Sequence, residues 1–154
     1  FEIRDEGVYS IHIPSCGALC HEEVMDSYKR AYSFFGGKDK QLLPFLCSSY
    51  LLFPAYQKAV FPENGNIHRF AEDFTIIRID DKQHFRDAWR VFDMPYTGNI
   101  SVLPQNTSLQ RAFIVYMKEN DNFGTGLGLF LFDGEKIRKD KDDVLWKYAK
   151  YYLS

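Results

Sequence analysis

The sequence predicts a mixed fold, α/β or α+β, in which helices flank a twisted mixed sheet. Two observations support this prediction. Segments with helical periodicity alternate with short apolar segments rich in β-branched and aromatic residues, and the pair Asp133-Gly134 between two such segments is typical of a hairpin turn. No repeat, low-complexity tract or linker divides the chain, so we interpret residues 1–154 as one domain.

The first part of the chain predicts a strand, an amphipathic helix and a buried strand in turn. Hydropathy alternates until Pro14, then apolar residues recur every three or four positions until Gly36-Gly37 ends the pattern. Pro54 suits the first turn of a short helix after the buried strand. The predicted strands cover residues 8–13 and 45–49, and the predicted helices cover 21–35, 54–60 and a segment from about 64.

The middle of the chain predicts a central strand at residues 74–79, because this segment is apolar on both faces. Asp81 is a candidate N-cap for a helix that runs to Phe92. The sequence predicts a loop at residues 94–105 with a short strand at 99–103. A helix then begins at Thr107-Ser108 and reaches about Lys118.

The last part of the chain contains a G-x-G-x-G pattern formed by Gly124, Gly126 and Gly128. A phosphate-binding glycine loop follows a strand and precedes a helix, whereas these glycines precede a predicted strand at 127–132. We therefore expect a flexible loop that leads into the Asp133-Gly134 hairpin. Asp142 or Asp143 is the predicted cap of the last helix.

Composition excludes several classes of protein. Aromatic residues are abundant, with 14 Phe, 10 Tyr and 2 Trp, which provides a sizeable core and argues against global disorder. The formal net charge is −2, so no nucleic-acid partner is expected. No apolar run is long enough for a membrane span, and no membrane partner is expected. Three cysteines and the absence of a secretion signal predict reduced thiols and a cytoplasmic location.

Two groups of residues invite a chemical interpretation. His12, Cys16, Cys20 and His21 are four potential zinc ligands, but no C-x-x-C pair occurs, so isolated structural residues and no metal are expected. Cys47, beside Ser48 and Ser49, lacks the sequence context of a known nucleophile, and packing is the favoured interpretation.

The segment Asn106 to Arg111 places a loop before a helix, with hydroxyl groups at the cap and Arg111 in the first turn. Free backbone N–H groups and the helix dipole favour an anion such as a pyrophosphate there. The alternative is an ordinary N-cap formed by Thr107 or Ser108, which accounts for the same residue types.

Four segments taken together resemble a known family. They are GVYSIHIP at 7–14, FLCSSYLLFP at 45–54, NGNIHRFAEDF at 64–74 and LPQNTSLQRAF at 103–113. As a set they resemble the GNAT-like C-terminal domain of bacterial two-domain, or twin-GNAT, acyltransferase-like proteins. The resemblance extends from about residue 7 to residue 128.

This resemblance implies a GNAT-like fold and a partner, an N-terminal acyltransferase domain upstream of Phe1. It implies transfer of an acyl group from acyl-coenzyme A to an unidentified small-molecule or peptide amine. Tyr50 or Cys47 would donate the proton to the leaving group. The residues expected to face the phosphates of coenzyme A or the substrate are Asn106, Thr107, Ser108, Gln110 and Arg111.

The sequence departs from the GNAT pattern because no glycine loop of the form [QR]-x-x-G-x-[GA] precedes a helix. Glycines let the backbone approach a phosphate closely. The departure supports an alternative function: a catalytically silent binding or scaffolding domain that completes the site or the dimer of a partner domain.

Overall fold

The computed structural model describes residues 2–3, 7–14, 17–36 and 42–153. Within these ranges the chain forms a five-stranded mixed sheet with helices on both faces, which confirms the predicted fold class. The strands are β1 (Glu2–Ile3), β2 (Tyr9–Ser10), β3 (Leu43–Ser49), β4 (Thr75–Lys82) and β5 (Phe123–Phe132). The helices are α1 (His21–Phe34), α2 (Pro54–Ala59), α3 (Asn66–Glu72), α4 (Ala88–Phe92), α5 (Ser108–Glu119) and α6 (Asp142–Ala149).

The strand order is β1-β2-β3-β5-β4, and β2 and β3 form the parallel pair. β5 pairs along its length with β3 on one side and β4 on the other. The pairing of β2 with β3 is short and ends where the Ile11 amide donates to the Leu46 carbonyl at 2.7 Å. Beyond this bond the two chain segments separate, and the sheet opens between them.

The side chains of β5 alternate between the two faces of the sheet. The face toward α6 is aliphatic and contains Leu127, Leu129 and Leu131, packed with Leu145 and Ala149. The opposite face is aromatic: Phe130 and Phe132 pack with Tyr28 of α1, at ring-centre distances of 4.8 and 6.0 Å. This aromatic layer accounts for part of the unusual aromatic content.

A third part of the core joins α2, α4 and α5 around the first residues of β5. Its centre is Tyr56, whose ring lies 5.0 Å from Phe113 and 5.2 Å from Tyr116 in edge-to-face contacts. The Tyr56 hydroxyl accepts a hydrogen bond from the Gly124 amide at 3.3 Å. α5 is therefore anchored to the sheet through buried aromatic rings.

Most of the strongly periodic elements lie where the sequence predicts them. The structure confirms the helices predicted at 21–35 and 54–60 and the helix from 107, and the buried strand at 45–49 lies inside β3. The helix expected from about 64 is α3. In each case apolar spacing and a Pro, Gly or hydroxyl residue at the boundary act together.

The prediction of a central strand at 74–79 is wrong in position. β4 starts at Thr75 and lies at the edge of the sheet, with Arg78 and Ile79 exposed. Helices cover both faces of the sheet even at this edge, so Ile76 packs into the core on one face and Ile77 packs into the core on the other. Apolar character on both faces therefore reports covering layers rather than a central place in the sheet.

Three further local predictions are corrected. Asp81 lies inside β4 and caps no helix; the helix that follows is α4, with Asp87 at its N-cap. The strand expected at 99–103 is a 3-10 helix, Ile100–Val102, because the Asn99 side chain accepts from the Ser101 amide at 3.0 Å and caps a turn. Asp142 and Asp143 lie in the first turn of α6, and its N-cap is Lys141.

A buried carboxyl group, Asp73, accepts a hydrogen bond from the Tyr28 hydroxyl at 3.3 Å beneath α1. Burial raises the pKa of Asp73, and the charge of His21 and the bond from Tyr28 offset this only in part. The folded protein therefore holds this proton more tightly than the unfolded chain does. The stabilising contribution is complete below a pH of about 4 and is lost as the pH rises through the raised pKa.

Asp73→Asn is expected to gain stability relative to the wild type as the pH rises from acid to neutral, because the amide carries no charge to bury. Urea unfolding at several pH values measures the difference. Glu63→Gln changes an exposed carboxylate that does not contribute to the pKa shift of Asp73; it is the control and should show no such trend. A difference for Asp73→Asn that stays constant with pH would contradict the prediction.

Candidate functional site

The opening between β2 and β3 forms a cleft with a volume of about 510 Å³. Residues 11–14 and 17–19 form one wall, and residues 47–51 form the other. The remaining lining includes Asn66 and Ile67 of α3, Asp87 and Arg90 at α4, and Leu109 of α5. Its volume is in the range typical of sites for small molecules, and its walls combine apolar surface with a few polar groups.

The three glycines of the G-x-G-x-G pattern lie within β5, whose Thr125 lines this cleft, and this corrects their assignment to a flexible loop. A Cβ at Gly126 would collide with the Leu52 carbonyl oxygen. A Cβ at Gly128 would lie 2.7 Å from the Phe74 Cβ and 2.9 Å from a Leu52 methyl carbon. The glycines therefore let the 3-10 helix Tyr50–Leu52 lie directly on the sheet, at the edge of the cleft.

Tyr50 begins this 3-10 helix, and the Ser49 hydroxyl caps it by accepting from the Leu51 amide at 3.2 Å. The Tyr50 ring is half-buried, with its centre 6.2 Å from that of Phe113. Burial raises the pKa of Tyr50, the charge of Arg90 lowers it and the charge of Asp87 raises it. Tyr50 is thus a protonated phenol at neutral pH and borders the cleft.

Cys47 also lines the cleft but is only 1% exposed. Burial raises its pKa to about 12, so the group stays a thiol through the neutral range. A nucleophilic thiolate is not available from Cys47 under these conditions. Of the two proton donors predicted from the sequence, Tyr50 is the more accessible.

The loop before α5 is closed by a capping box between Thr107 and Gln110. The Thr107 hydroxyl accepts from the Gln110 amide at 3.1 Å, and the Gln110 Oε1 accepts from the amides of Asn106 and Thr107 at 2.8 and 3.2 Å. The Gln110 Nε2 donates to the Val91 carbonyl at 3.1 Å and ties α5 to α4. All polar atoms of this buried side chain are used inside the fold.

Arg111 is exposed and donates from Nη1 to the carbonyls of Gln105 and Asn106 at 2.8 and 3.1 Å. It therefore braces the loop from outside. In the described part of the chain, Leu109 is the residue of segment 106–111 that lines the cleft. Both groups of residues predicted from the sequence therefore border the same cleft. Tyr50 and Cys47 line it directly, whereas the segment 106–111 reaches it through Leu109 in the N-terminal turn of α5.

The four potential zinc ligands do not all fall within the described residues, because Cys16 lies outside them. His12 lies on the cleft wall, and Cys20 and His21 are exposed at the start of α1. Over the ranges that the structure describes, no three His, Cys, Asp or Glu side chains come together as a metal site.

Asp87 and Arg90 are the site residues that sequence reasoning missed. They form an ion pair with 3.3 Å between Arg90 Nε and Asp87 Oδ1, and both line the cleft. The i,i+3 spacing of opposite charges was visible in the sequence, but it is equally typical of an exposed helix surface. Only the tertiary structure places it beside Tyr50.

Comparison with protein families matches residues 3–130 to a model described as a GNAT-like C-terminal domain. Comparison with curated proteins gave no significant match.

Across the described residues, none of the helices combines the length and apolar character that crossing a membrane requires.

Several solved acyltransferase structures share the fold. One, described as an acyltransferase in complex with CoA and 10C-teicoplanin, aligns with a TM-score of 0.64 at 23% identity and covers 78% of this chain and 39% of its own. Another, with decanoyl-CoA and teicoplanin, gives the same values. A mutant acyltransferase with octanoyl-CoA has a TM-score of 0.60 at 23% identity and covers 74% of this chain and 37% of its own. The chain thus spans about two fifths of the length of these structures.

Proposed function

Because the chain belongs to the family of GNAT-like C-terminal domains, we propose that it takes part in the transfer of an acyl group from acyl-coenzyme A to an amine. The structures with a similar fold are described as acyltransferases with CoA or acyl-CoA. The observation that carries the proposal is the cleft between β2 and β3 with Tyr50 on its wall. The acceptor is a small-molecule or peptide amine, and the partner is an upstream acyltransferase domain.

In this proposal the apolar part of the cleft receives the acyl chain and the thioester. Ile11, Ile13, Leu19, Leu51, Ile67 and Leu109 supply that surface. Burial of a hydrocarbon chain against such side chains gains roughly 0.8 kcal/mol for each methylene group. The polar residues Ser48, Ser49 and Tyr50 lie on one wall, where the reacting carbonyl and the amine would meet.

Tyr50 is the proposed proton donor. When the amine attacks the thioester carbonyl, a carbon–nitrogen bond forms and the nitrogen gives up a proton to solvent. The carbon–sulfur bond then breaks, and the sulfur of coenzyme A leaves with a negative charge. A protonated phenol at this point supplies a proton to the sulfur and lowers the barrier. Cys47 is the second candidate for this role, but its sulfur lies deeper in the core.

The N-terminal turn of α5 is the proposed contact for the phosphates of coenzyme A. The capping box already uses the amides of Asn106, Thr107 and Gln110, so in the described part of the chain the amides of Ser108 and Leu109 are the ones left to bind an anion. The helix dipole favours an anion there, and Leu109 places this turn beside the cleft. In this role Asn106, Thr107, Ser108, Gln110 and Arg111 shape the loop around the phosphates, with Gln110 and Arg111 acting through the hydrogen bonds that hold it.

A second candidate function is a catalytically silent domain that completes a partner domain's site. One observation favours it: the glycines that could have formed a phosphate loop lie inside β5 and serve packing. In that case the cleft would contribute a wall to a site whose chemistry resides in the partner.

Calorimetric titration of the full chain with coenzyme A and with acetyl-coenzyme A tests the proposal. We expect micromolar binding, which corresponds to about −8 kcal/mol. Arg111→Ala should weaken this binding about tenfold because the loop loses two of its hydrogen bonds. Lys118→Ala, at the opposite end of α5, is the matched control. Absence of binding to both ligands would favour the silent domain instead.

A further inference from the structure

Arg90 is held in place by its two neighbours at α4 before any ligand enters the cleft. Its Nε lies 3.3 Å from Oδ1 of Asp87, and its guanidinium carbon lies 4.4 Å from the centre of the Trp89 ring. A planar guanidinium that is both paired and stacked loses much of its rotational freedom. The plane of the group is therefore defined in the free protein.

These contacts leave the two Nη groups of Arg90 for another partner. The ion pair joins Nε to Asp87, and in the described part of the chain neither Nη donates a hydrogen bond. The Arg90 side chain is 39% exposed, and it lines the cleft. Two parallel N–H donors on such a fork match two oxygens of a carboxylate or a phosphate.

The same guanidinium is close enough to Tyr50 to influence it, because the charge of Arg90 lowers the pKa of Tyr50 against the effect of burial. An anion held by Arg90 would thus lie in the part of the cleft that Tyr50 borders. Asp87 is the other charged side chain there, and its charge is compensated by the ion pair with Arg90.

We propose that Arg90 is an oxyanion-binding residue of this cleft, oriented by Asp87 and Trp89, and that it takes a phosphate or carboxylate group of the molecule that enters. The existence of the site does not depend on acyl transfer, but the identity of its ligand rests on the proposed function. A phosphate would belong to the acyl donor, and a carboxylate would belong to the amine acceptor.

Nuclear magnetic resonance titration of the ¹⁵N-labelled full chain tests this proposal without an activity assay. The probes are inorganic pyrophosphate, N-acetylglycine and N-acetylglycinamide, which lacks the carboxylate. We expect pyrophosphate or N-acetylglycine to shift the signals of the Arg90 Nε–H and the Trp89 indole N–H. N-acetylglycinamide should shift neither signal.

Arg90→Gln should weaken binding of whichever probe binds the wild type, pyrophosphate or N-acetylglycine, about tenfold to hundredfold, because a charge-assisted pair of hydrogen bonds is lost. Arg90→Lys keeps the charge but not the fork and should fall between Arg90→Gln and the wild type. Arg86→Gln changes an exposed arginine of the same segment that does not line the cleft, and it should bind as the wild type does. Arg90→Lys keeps the test valid if Arg90→Gln does not fold.

Binding of pyrophosphate alone would identify the donor phosphate as the source, and binding of N-acetylglycine alone would identify the acceptor carboxylate. The inference is overturned if the wild type binds neither probe, or if Arg86→Gln loses as much affinity as Arg90→Gln. If the wild type binds one of these anions through Arg90 but does not bind coenzyme A, the anion site stands and the proposed function in acyl transfer is contradicted.

Discussion

Replacing Tyr50 by Phe is expected to lower kcat for the proposed acyl transfer about a hundredfold while KM for acyl-coenzyme A changes little, because a general acid, the role proposed for this phenol, contributes on that scale or more. The substitution removes only the hydroxyl. The ring keeps its contact with Phe113, so the fold should persist. The measurement is release of free coenzyme A from acetyl-coenzyme A in the presence of a panel of amines.

Tyr148→Phe is the matched control, since Tyr148 lies on α6 at the opposite face of the sheet and does not line the cleft. Because burial raises the pKa of Tyr50, its phenol remains protonated below a pH of about 10, and kcat/KM should show no decline from this group up to that pH. An unchanged kcat in Tyr50→Phe would remove this assignment and make Cys47→Ser the next variant to measure.

Gly126→Ala is expected to cost about 3 kcal/mol of unfolding free energy, at the upper end for overpacking. The added methyl would meet the carbonyl of Leu52, and a backbone atom cannot swing aside as the end of a side chain can. Relief requires the 3-10 helix Tyr50–Leu52 to move off β5, so the wall of the cleft should shift as well. Urea unfolding gives the loss of stability.

Gly98→Ala makes the same chemical change in open space. A Cβ there meets nothing within 4 Å, and the cost arises only from its φ of +95°, at about 1 to 2 kcal/mol. Gly126→Ala should therefore be clearly the more damaging of the two substitutions. Equal losses would mean that the close approach of Leu52 to β5 carries no weight in the stability of the protein.

The predictions from sequence succeed where one element carries its own signal. The helix α1 shows a continuous apolar stripe that ends at Gly36-Gly37, and α5 shows a hydroxyl cap followed by Gln110, which forms the capping box. Such patterns depend on residues within one or two turns, so they can be read without knowledge of the fold. The resemblance to the GNAT-like family also rests on local segments.

The predictions fail where the outcome depends on a neighbour far along the chain. Gly124, Gly126 and Gly128 suggest a loop until Leu52 and Phe53 are found against them, about 75 residues earlier in the sequence. The apolar segment of β4 suggests a central strand until α6 is found covering the edge of the sheet. Neither contact can be predicted from the residues that are close in sequence to the glycines or to β4.

For the candidate site, too, some features follow from the sequence alone and others only from the tertiary structure. By itself the sequence determined the class of fold, the family, the cap of α5 and the polar residues Tyr50 and Cys47 as candidates. The tertiary structure decided that β2 and β3 separate after Ile11, that Tyr50 faces the opening while Cys47 is buried, and that Arg90 joins Tyr50 there. The physical reason is that periodicity and capping are local properties of the chain, whereas a cleft exists only where segments distant in sequence fail to pair.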